Sequence, residues 1–290
     1  FIGSNLVDAL LNNNHQVEVI DNFSTGLKEN CNSKALYHNI DISDNNRNAE
    51  IIKIMKNADG AFHLAALPRV QPSIDDPFLY EKNNTLSMIN ILKCAADANI
   101  KRFVYSASSS AYGDCTTMPL KENFPVNPIS PYALQKFYGE VVCKTFNQIY
   151  GIETVSLRYF NVFGERQPSE GAYTLVLATF MKQKLNSKPL TIRGDGEQKR
   201  DFTYVGDIVN ANILAMSSTK VGSGEVINIG SGENRTVNHI AKLVGGETIN
   251  IEPVIEPFET LADISKAKEL LDWEPKVSID SWVKSYYNEK

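Results

Sequence analysis

The chain has 290 residues, 42% hydrophobic and 22% charged, the profile of a globule with a sizeable core rather than a disordered tract. At roughly 150 residues per domain, that length corresponds to two domains or to one large domain with an appendage. Twenty-nine Lys and Arg stand against 34 Asp and Glu, a net charge of −5; the balance gives no general attraction to nucleic acid or anionic membrane, and no apolar run approaches the ~18 residues of a membrane span.

In chain order, the pattern predicts a helix over 4–13 and strands over 17–20 and 36–40. A helix over 49–57, a strand over 61–64 and a long helix over 78–98 follow. Next come a strand over 102–106, a helix over Pro131–Tyr150 and a strand over 154–157. Short β-branched runs alternating with longer helical patterns are the signature of a parallel sheet wrapped by helices. Ser130 before Pro131 is a good N-cap followed by a residue whose missing N–H is no loss there, and Gly151 closes the same helix. Beyond Gly164 the elements shorten, with glycine turns at 194–196 and 222–224. Residues 226–229 read as one more buried strand of the first domain, and ADISKAKELLDWEP as a capped helix stopped before Pro275.

A doubly wound dinucleotide-binding fold places a strand and a glycine-rich turn before its first helix. Here Phe1-Ile2-Gly3-Ser4-Asn5-Leu6 runs directly into the helix. Gly3 is the single glycine of such a turn, and by the G-x-G-x-x-G spacing about ten further residues are expected before it. The expectation is therefore an α/β, doubly wound parallel sheet (a Rossmann arrangement) lacking its first strand, with a smaller α/β substrate domain. No secretory leader is visible in the first ten residues, so a cytoplasmic location is expected. Cys31, Cys94, Cys115 and Cys143 form no C-x-x-C pair and read as reduced, buried thiols. No His, Cys or carboxylate cluster has metal-ligand spacing, so no metal is expected.

Asp21 ends the apolar run V-E-V-I-D about 18 residues after Gly3, where a carboxylate can bond both ribose hydroxyls and repel a 2′-phosphate, favouring NAD over NADP. Asp41 and Ile42, after the next strand, are placed to contact adenine. Leu64, Ala65 and Ala66 end a strand with small residues that let the backbone approach a cofactor, while the adjoining His63 reads as structural.

Tyr132 and Lys136 stand at i and i+4 on one helix and share a face. A lone phenol with pKa ~10 is a poor base at neutral pH. A unit charge ~4 Å away, at an effective dielectric of ~20, is worth about 4 kcal/mol, enough to bring the phenol near neutrality. Such a pair can take a proton from an alcohol while a nicotinamide oxidises its carbon. Y-x-x-x-K occurs on many helices without chemistry, so context decides. Ser106-Ala107-Ser108-Ser109-Ser110-Ala111-Tyr112-Gly113 follows a buried strand, where a hydroxyl projects from the carboxyl edge of a parallel sheet.

Over nearly its whole length the sequence resembles the extended short-chain dehydrogenase/reductases of the NAD-dependent epimerase/dehydratase type, in particular the UDP-glucose and UDP-N-acetylglucosamine 4-epimerases. The resemblance lies in FIGSNLVDALL, VIDNFSTG, FHLAA, SASSSAYGD, SPYALQKFYGE, LRYFNVFGERQ, IRGDGEQKRDFTYVGD and TLADISKAKELLDWEP. It implies that Ser108 is the catalytic serine, Tyr132 the base, and Lys136 its partner and a ribose ligand. It adds Gly3, Asn22, Asn84 and Tyr159 to the NAD contacts, and Ser108, Ser109, Asn161, Ala172, Tyr173, Arg200 and Thr260 to the UDP-sugar contacts. It implies an NAD-binding domain of residues 1–165 and 200–230, and a substrate domain of 166–199 and 231–290. It further implies a homodimer through helices 78–98 and Pro131–Tyr150. The implied reaction is C4 epimerisation of a UDP-hexose through a transient 4-keto sugar that turns over while its UDP stays anchored.

Between Lys182 and Arg200, six basic residues face two acidic ones, a local +4 that suits a diphosphate, with Arg200 the residue expected to bind it. Dehydratases of the family resemble one another in an Asp-Glu pair where this chain has Ser109 and Ser110, which argues against dehydration. Thr260 stands where a bulky residue goes with plain hexoses and a small one with N-acetylhexosamines. With the run Phe160-Asn161-Val162, it favours UDP-GlcNAc/UDP-GalNAc, alone or beside UDP-Glc/UDP-Gal. The family arginine before A-D-I-S has no counterpart in 252–261, Val254 being the nearest position, and Ser87 replaces a glycine of the long helix. Other readings are a UDP-glucuronate 4-epimerase, a dehydratase or reductase of the same family, or a catalytically idle NAD-binding protein.

Overall fold

Apolar alternation in the middle of the chain builds a parallel sheet. The computed structural model describes residues 1–168, 175–253 and 256–288. Helix α1 (Ile2–Asn12) leads to strands β1 (Glu18–Asp21) and β2 (Leu36–Asn39), then α2 (Asn48–Met55) and β3 (Gly60–His63). Helices α3 (Val70–Asp75) and α4 (Pro77–Tyr80), a π-helical turn (Glu81–Leu86) and α5 (Ser87–Asp97) precede β4 (Arg102–Ser108), α6 (Pro131–Tyr150) and β5 (Glu153–Tyr159). The smaller part contains β6 (Val162–Phe163), α7 (Val176–Leu185), β7 (Leu190–Arg193), β8 (Lys199–Asp201) and β9 (Thr203–Tyr204). Helix α8 (Val205–Ser217) and β10 (Ser223–Ile229) return to the main sheet. Strand β11 (Asn234–Thr236), α9 (Val237–Val244), β12 (Thr248–Ile251), α10 (Ser265–Leu271) and α11 (Ile279–Asn288) complete the chain.

The main sheet is parallel, in the order β10-β5-β4-β3, while β1 and β2 form a separate parallel pair. Strands β1 and β3 are not bonded to each other, and an open cleft runs between them. Alternation along β4 distributes the core. Phe103 and Tyr105 pack with Leu92, Cys143 and Phe146 on one face, and Val104 packs with Ile208, Ile227 and Trp273 on the other. A third cluster, with Phe163, Phe180, Ile240 and Val283, holds the smaller part together.

Helix α6 has the expected bounds. Ser130 Oγ accepts from Ala133 N at 3.2 Å, Pro131 occupies the first turn, and Gly151 takes φ +71°. The long helix predicted over 78–98 is instead interrupted by the π-helical turn, which inserts a residue and turns Asn84 inward; apolar spacing does not report such an insertion. The first helix begins at Ile2, so Ser4 lies inside it and donates to the Phe1 carbonyl rather than capping. Helix α10 ends at Asp272 (φ +52°), short of Pro275, and carries no N-cap side-chain bond, although Asp263 Oδ1 accepts from Ser265 N at 2.9 Å. Cys94 and Cys143 are buried, whereas Cys31 and Cys115, expected to be buried, are partly exposed because they sit in loops rather than in helices against the sheet.

Candidate active site

A cleft of about 1940 Å³ runs along β1 and β3 and reaches the carboxyl ends of β4 and β5. Of the expected site residues, Gly3, Asp21, Asn22, Asp41, Ile42, Leu64, Ala65, Ala66, Ser108, Ser109, Tyr132, Lys136, Tyr159, Asn161, Arg200 and Thr260 all line it. Ala172 and Tyr173 lie outside the described residues, as does Val254.

Tyr132 and Lys136 project from the first two turns of α6. A Cβ added to Gly139, one turn later, would stand 2.4 Å from the Tyr105 ring, so the bare glycine lets α6 lie against β4. At that separation Lys136 Nζ donates to the Ser106 carbonyl at 2.8 Å and lies 5.2 Å from the Tyr105 ring centroid. The Tyr132 backbone N–H donates to Ser73 Oγ at 3.1 Å, pinning α3 to the start of α6. Ser108 ends β4, where its Oγ accepts from Ser110 N at 3.2 Å and Ser110 Oγ at 2.9 Å.

Burial raises the Tyr132 phenol above its ordinary value, and a hydrogen bond with Ser108 and the charge of Arg69 oppose that rise. Burial also lowers the Lys136 ammonium to about 8, and this group is directed at the Ser106 carbonyl. Lys136, expected from its spacing to act on the phenol, donates to the Ser106 carbonyl in this structure. Arg69 was not among the expected site residues; a charged residue in the otherwise small and apolar H-L-A-A-L-P-R-V stretch was its sequence signal. His63 is structural as expected: burial lowers it to about 3, and its ring packs beside Phe103 and Tyr105.

Asn84, expected to contact the cofactor, does not line the cleft. Its Oδ1 accepts from Leu67 N at 2.8 Å, and its Nδ2 donates to the Leu67 carbonyl and Gln135 Oε1, each at 3.0 Å. It supports the loop after β3 because the π-helical turn directs it there. Tyr159 lines the cleft, and its hydroxyl donates to Asn212 Oδ1 at 2.9 Å. Ser87 Oγ donates to the Asn83 carbonyl, so the serine in place of glycine is accommodated within the helix.

The donor set fits a dinucleotide. Asp21 and Asp41 close the neighbouring strands β1 and β2 with carboxylates, and Lys82 lies 3.3 Å from Asp41. The first turn of α1 carries no acidic residue to repel a diphosphate. Asp21 Oδ1 accepts from Phe23 N at 2.7 Å, and Asn22 Oδ1 from Ser24 N at 3.0 Å, shaping the turn after β1.

Across the cleft, Asn161 Nδ2 donates to the Asp201 carbonyl at 3.0 Å and to Thr260 Oγ1 at 3.5 Å. Arg200 pairs with Glu256 at 2.9 Å and donates to the Lys199 and Phe258 carbonyls. Of the six basic residues from Lys182 to Arg200, Arg200 is the one that lines the cleft. Asp201 accepts from Ser231 N and Oγ, Gly232 N and Ala262 N at 2.6–3.1 Å, joining the end of β10 to the segment bearing Thr260. Burial raises its carboxyl to about 6 against the pull of those donors. In Asp201→Asn an amide NH2 would oppose backbone N–H groups, and a loss of about 1–3 kcal/mol is expected, read as a lower Tm by thermal unfolding at neutral pH.

The family model described as NAD dependent epimerase/dehydratase matches residues 1–230. The chain belongs to this family. Among solved structures, a UDP-glucose 4-epimerase from Thermotoga maritima with UDP-glucose superposes with a TM-score of 0.93 and 36% identity, covering 100% of this chain and 96% of that one. A UDP-N-acetylglucosamine 4-epimerase from Methanobrevibacter ruminantium, in complex with UDP-N-acetylmuramic acid, gives 0.90 and 36% over the same shares. A UDP-glucuronate 4-epimerase of Thermodesulfobacterium geofontis is 32% identical, covering 99% of this chain and 92% of that protein. The family assignment accords with the parallel sheet and with a cleft at the carboxyl ends of its strands, the usual ligand position in such folds.

Proposed function

We propose that this epimerase/dehydratase family member interconverts a UDP-hexose and its C4 epimer with NAD as its cofactor. The observation that carries the reading is the partly buried Tyr132 at the rim of the sheet, its phenol drawn down by Ser108, in one cleft with Asp21, Arg200 and Thr260. Asp21 and Lys136 would hold the ribose hydroxyls of NAD, Asp41 and Ile42 its adenine end, and Gly3 its diphosphate. NAD, when bound, supplies reversible two-electron oxidation at C4. Tyr132 takes the proton of the 4-hydroxyl and returns it, while Ser108 bonds the same oxygen. Arg200 and Asn161 anchor the nucleotide, so binding energy is drawn from a part of the substrate that does not react.

For the sugar we propose UDP-GlcNAc/UDP-GalNAc, with UDP-Glc/UDP-Gal also accepted. Thr260 is only 9% exposed, and its hydroxyl is engaged with Asp201 N and Asn161, leaving a small wall rather than a bulky one. Exposed Phe78, Leu86 and Ile89 on the helical run before β4, with Leu134 and Val141 on α6, support a homodimer through these helices.

Epimer formation from both sugar pairs, followed chromatographically with added NAD, tests the reading. Conversion of both is expected; conversion confined to the plain hexoses would refute the N-acetyl assignment, and conversion of neither would refute the epimerase. Thr260→Tyr should lower turnover of the N-acetylated pair roughly tenfold or more while sparing the plain pair.

A further inference from the structure

Three cleft residues assigned to the nucleotide sugar, Asn161, Arg200 and Thr260, are gathered around a buried carboxylate that does not itself line the cleft. Asp201 is wholly buried. Its Oδ1 accepts from Ser231 N at 2.6 Å and Ser231 Oγ at 2.8 Å, and its Oδ2 from Gly232 N and Ala262 N, each at 3.1 Å. Four donors fill the lone-pair sites of an ionised carboxylate, a group that only accepts. Ser231 and Gly232 follow β10, whose Ile229 is paired with Tyr159 of β5 and takes the Phe160 N–H on its carbonyl at 3.1 Å. Ala262 closes the segment that carries Phe258 and Thr260. The Asp201 side chain therefore fastens that segment to the carboxyl edge of the main sheet.

From that junction the register reaches the cleft. The segment runs parallel to β8, with Glu259 opposite Lys199; Lys199 N donates to the Phe258 carbonyl at 2.9 Å, and Thr260 N to the Lys199 carbonyl at 3.1 Å. Thr260 Oγ1 accepts from Asp201 N at 3.3 Å, and Asn161 Nδ2 donates to the Asp201 carbonyl at 3.0 Å. Phe258 supplies one of the two carbonyls that hold Arg200 Nη1. The junction has no slack, since a Cβ on Gly230 would stand 2.4 Å from Ala262 Cβ and 2.8 Å from Asp201 Oδ2. We propose that Asp201 is a positioning residue for the nucleotide sugar, its carboxylate setting how far Arg200 and Thr260 stand from the reacting rim of the sheet. The inference rests on the reading of these residues as UDP-sugar contacts. A neutral amide of the same shape cannot take over the role, because its NH2 would face N–H groups that need an acceptor.

The test compares Asp201→Asn and Gly230→Ala with the parent, and uses Asp207→Asn as a control. Gly230→Ala pushes against Ala262 while keeping the carboxylate, so it decides the matter even where Asp201→Asn fails to fold. Asp207 is likewise a buried acceptor, of Lys276 N and Val277 N at 2.9 and 3.1 Å, but it does not line the cleft or hold the segment that carries Thr260. Its loss weakens the fold without moving the anchors. UDP binding is read by calorimetry well below the Tm of each protein. In Asp201→Asn and Gly230→Ala the UDP dissociation constant is expected to rise about tenfold, while in Asp207→Asn it keeps the parental value. KM for the UDP-sugar should rise with it and kcat change less, because Ser108, Tyr132 and Lys136 are carried by β4 and α6. Unaltered UDP affinity in either folded variant overturns the proposal, as does an equal loss in Asp207→Asn. A parent that binds UDP while the variants match it removes this inference alone; a parent that binds no UDP removes the nucleotide-sugar reading together with it.

Discussion

Tyr132→Phe is expected to lower turnover by about 10²–10⁴-fold while leaving the folded structure intact. The substitution removes one oxygen. The ring keeps its place in the cleft wall, the backbone bond to Ser73 is untouched, and Ser108 retains its bonds from Ser110. What disappears is the group that exchanges a proton with the 4-hydroxyl. Because burial raises the phenol, the working phenolate grows as pH rises, and activity should climb on the alkaline side of neutrality before Lys136 loses its charge near 8. Measuring kcat for both proteins across that range checks the result; undiminished turnover in the variant would remove Tyr132 from its role.

Glu140→Gln is expected to have the largest effect on stability. Arg158 on β5 and Glu140 on α6 form a two-pronged pair at 2.8 and 2.7 Å, with both side chains 3% exposed. Burial alone would lower the Arg158 guanidinium, but Glu140 carries it above its ordinary value, so it remains charged in the fold. Its plane also faces the Tyr112 ring at 4.5 Å. Removing the carboxylate strands a buried cation, which costs about 3–5 kcal/mol, a large part of the ~5–15 that keeps a domain folded. Thermal unfolding should show a Tm lower by about 10 °C. Replacing both partners by apolar residues of similar volume should restore much of the loss; a single variant as stable as the parent would show that the charge is not isolated.

Much of this molecule was legible in its residues. Helix α6 could be bounded from Ser130, Pro131 and Gly151 because capping is local chemistry, and β4 and β5 could be found from runs buried on both faces. The π-helical turn was not legible, since one inserted residue leaves the apolar spacing nearly unchanged while redirecting Asn84 from the cleft to Leu67. In the site, the i, i+4 spacing correctly put Tyr132 and Lys136 on one face but could not report where the ammonium points. That depends on how closely α6 approaches Ser106, a tertiary matter. Arg69 was missed because its place in the cleft follows from a loop conformation imposed by Ser73, Tyr80 and Asn84 through bonds that no apolar pattern reports.

The missing side chain of Gly139 sets a dimension of the reaction apparatus. A single methyl there would meet the Tyr105 ring at 2.4 Å and wedge the helix off its strand. One ångström of such displacement is of the size that costs a positioned proton donor about a hundredfold in rate. The reach of the phenol is thus gauged by an atom the chain does not have, one turn beyond the lysine and outside the chemistry itself.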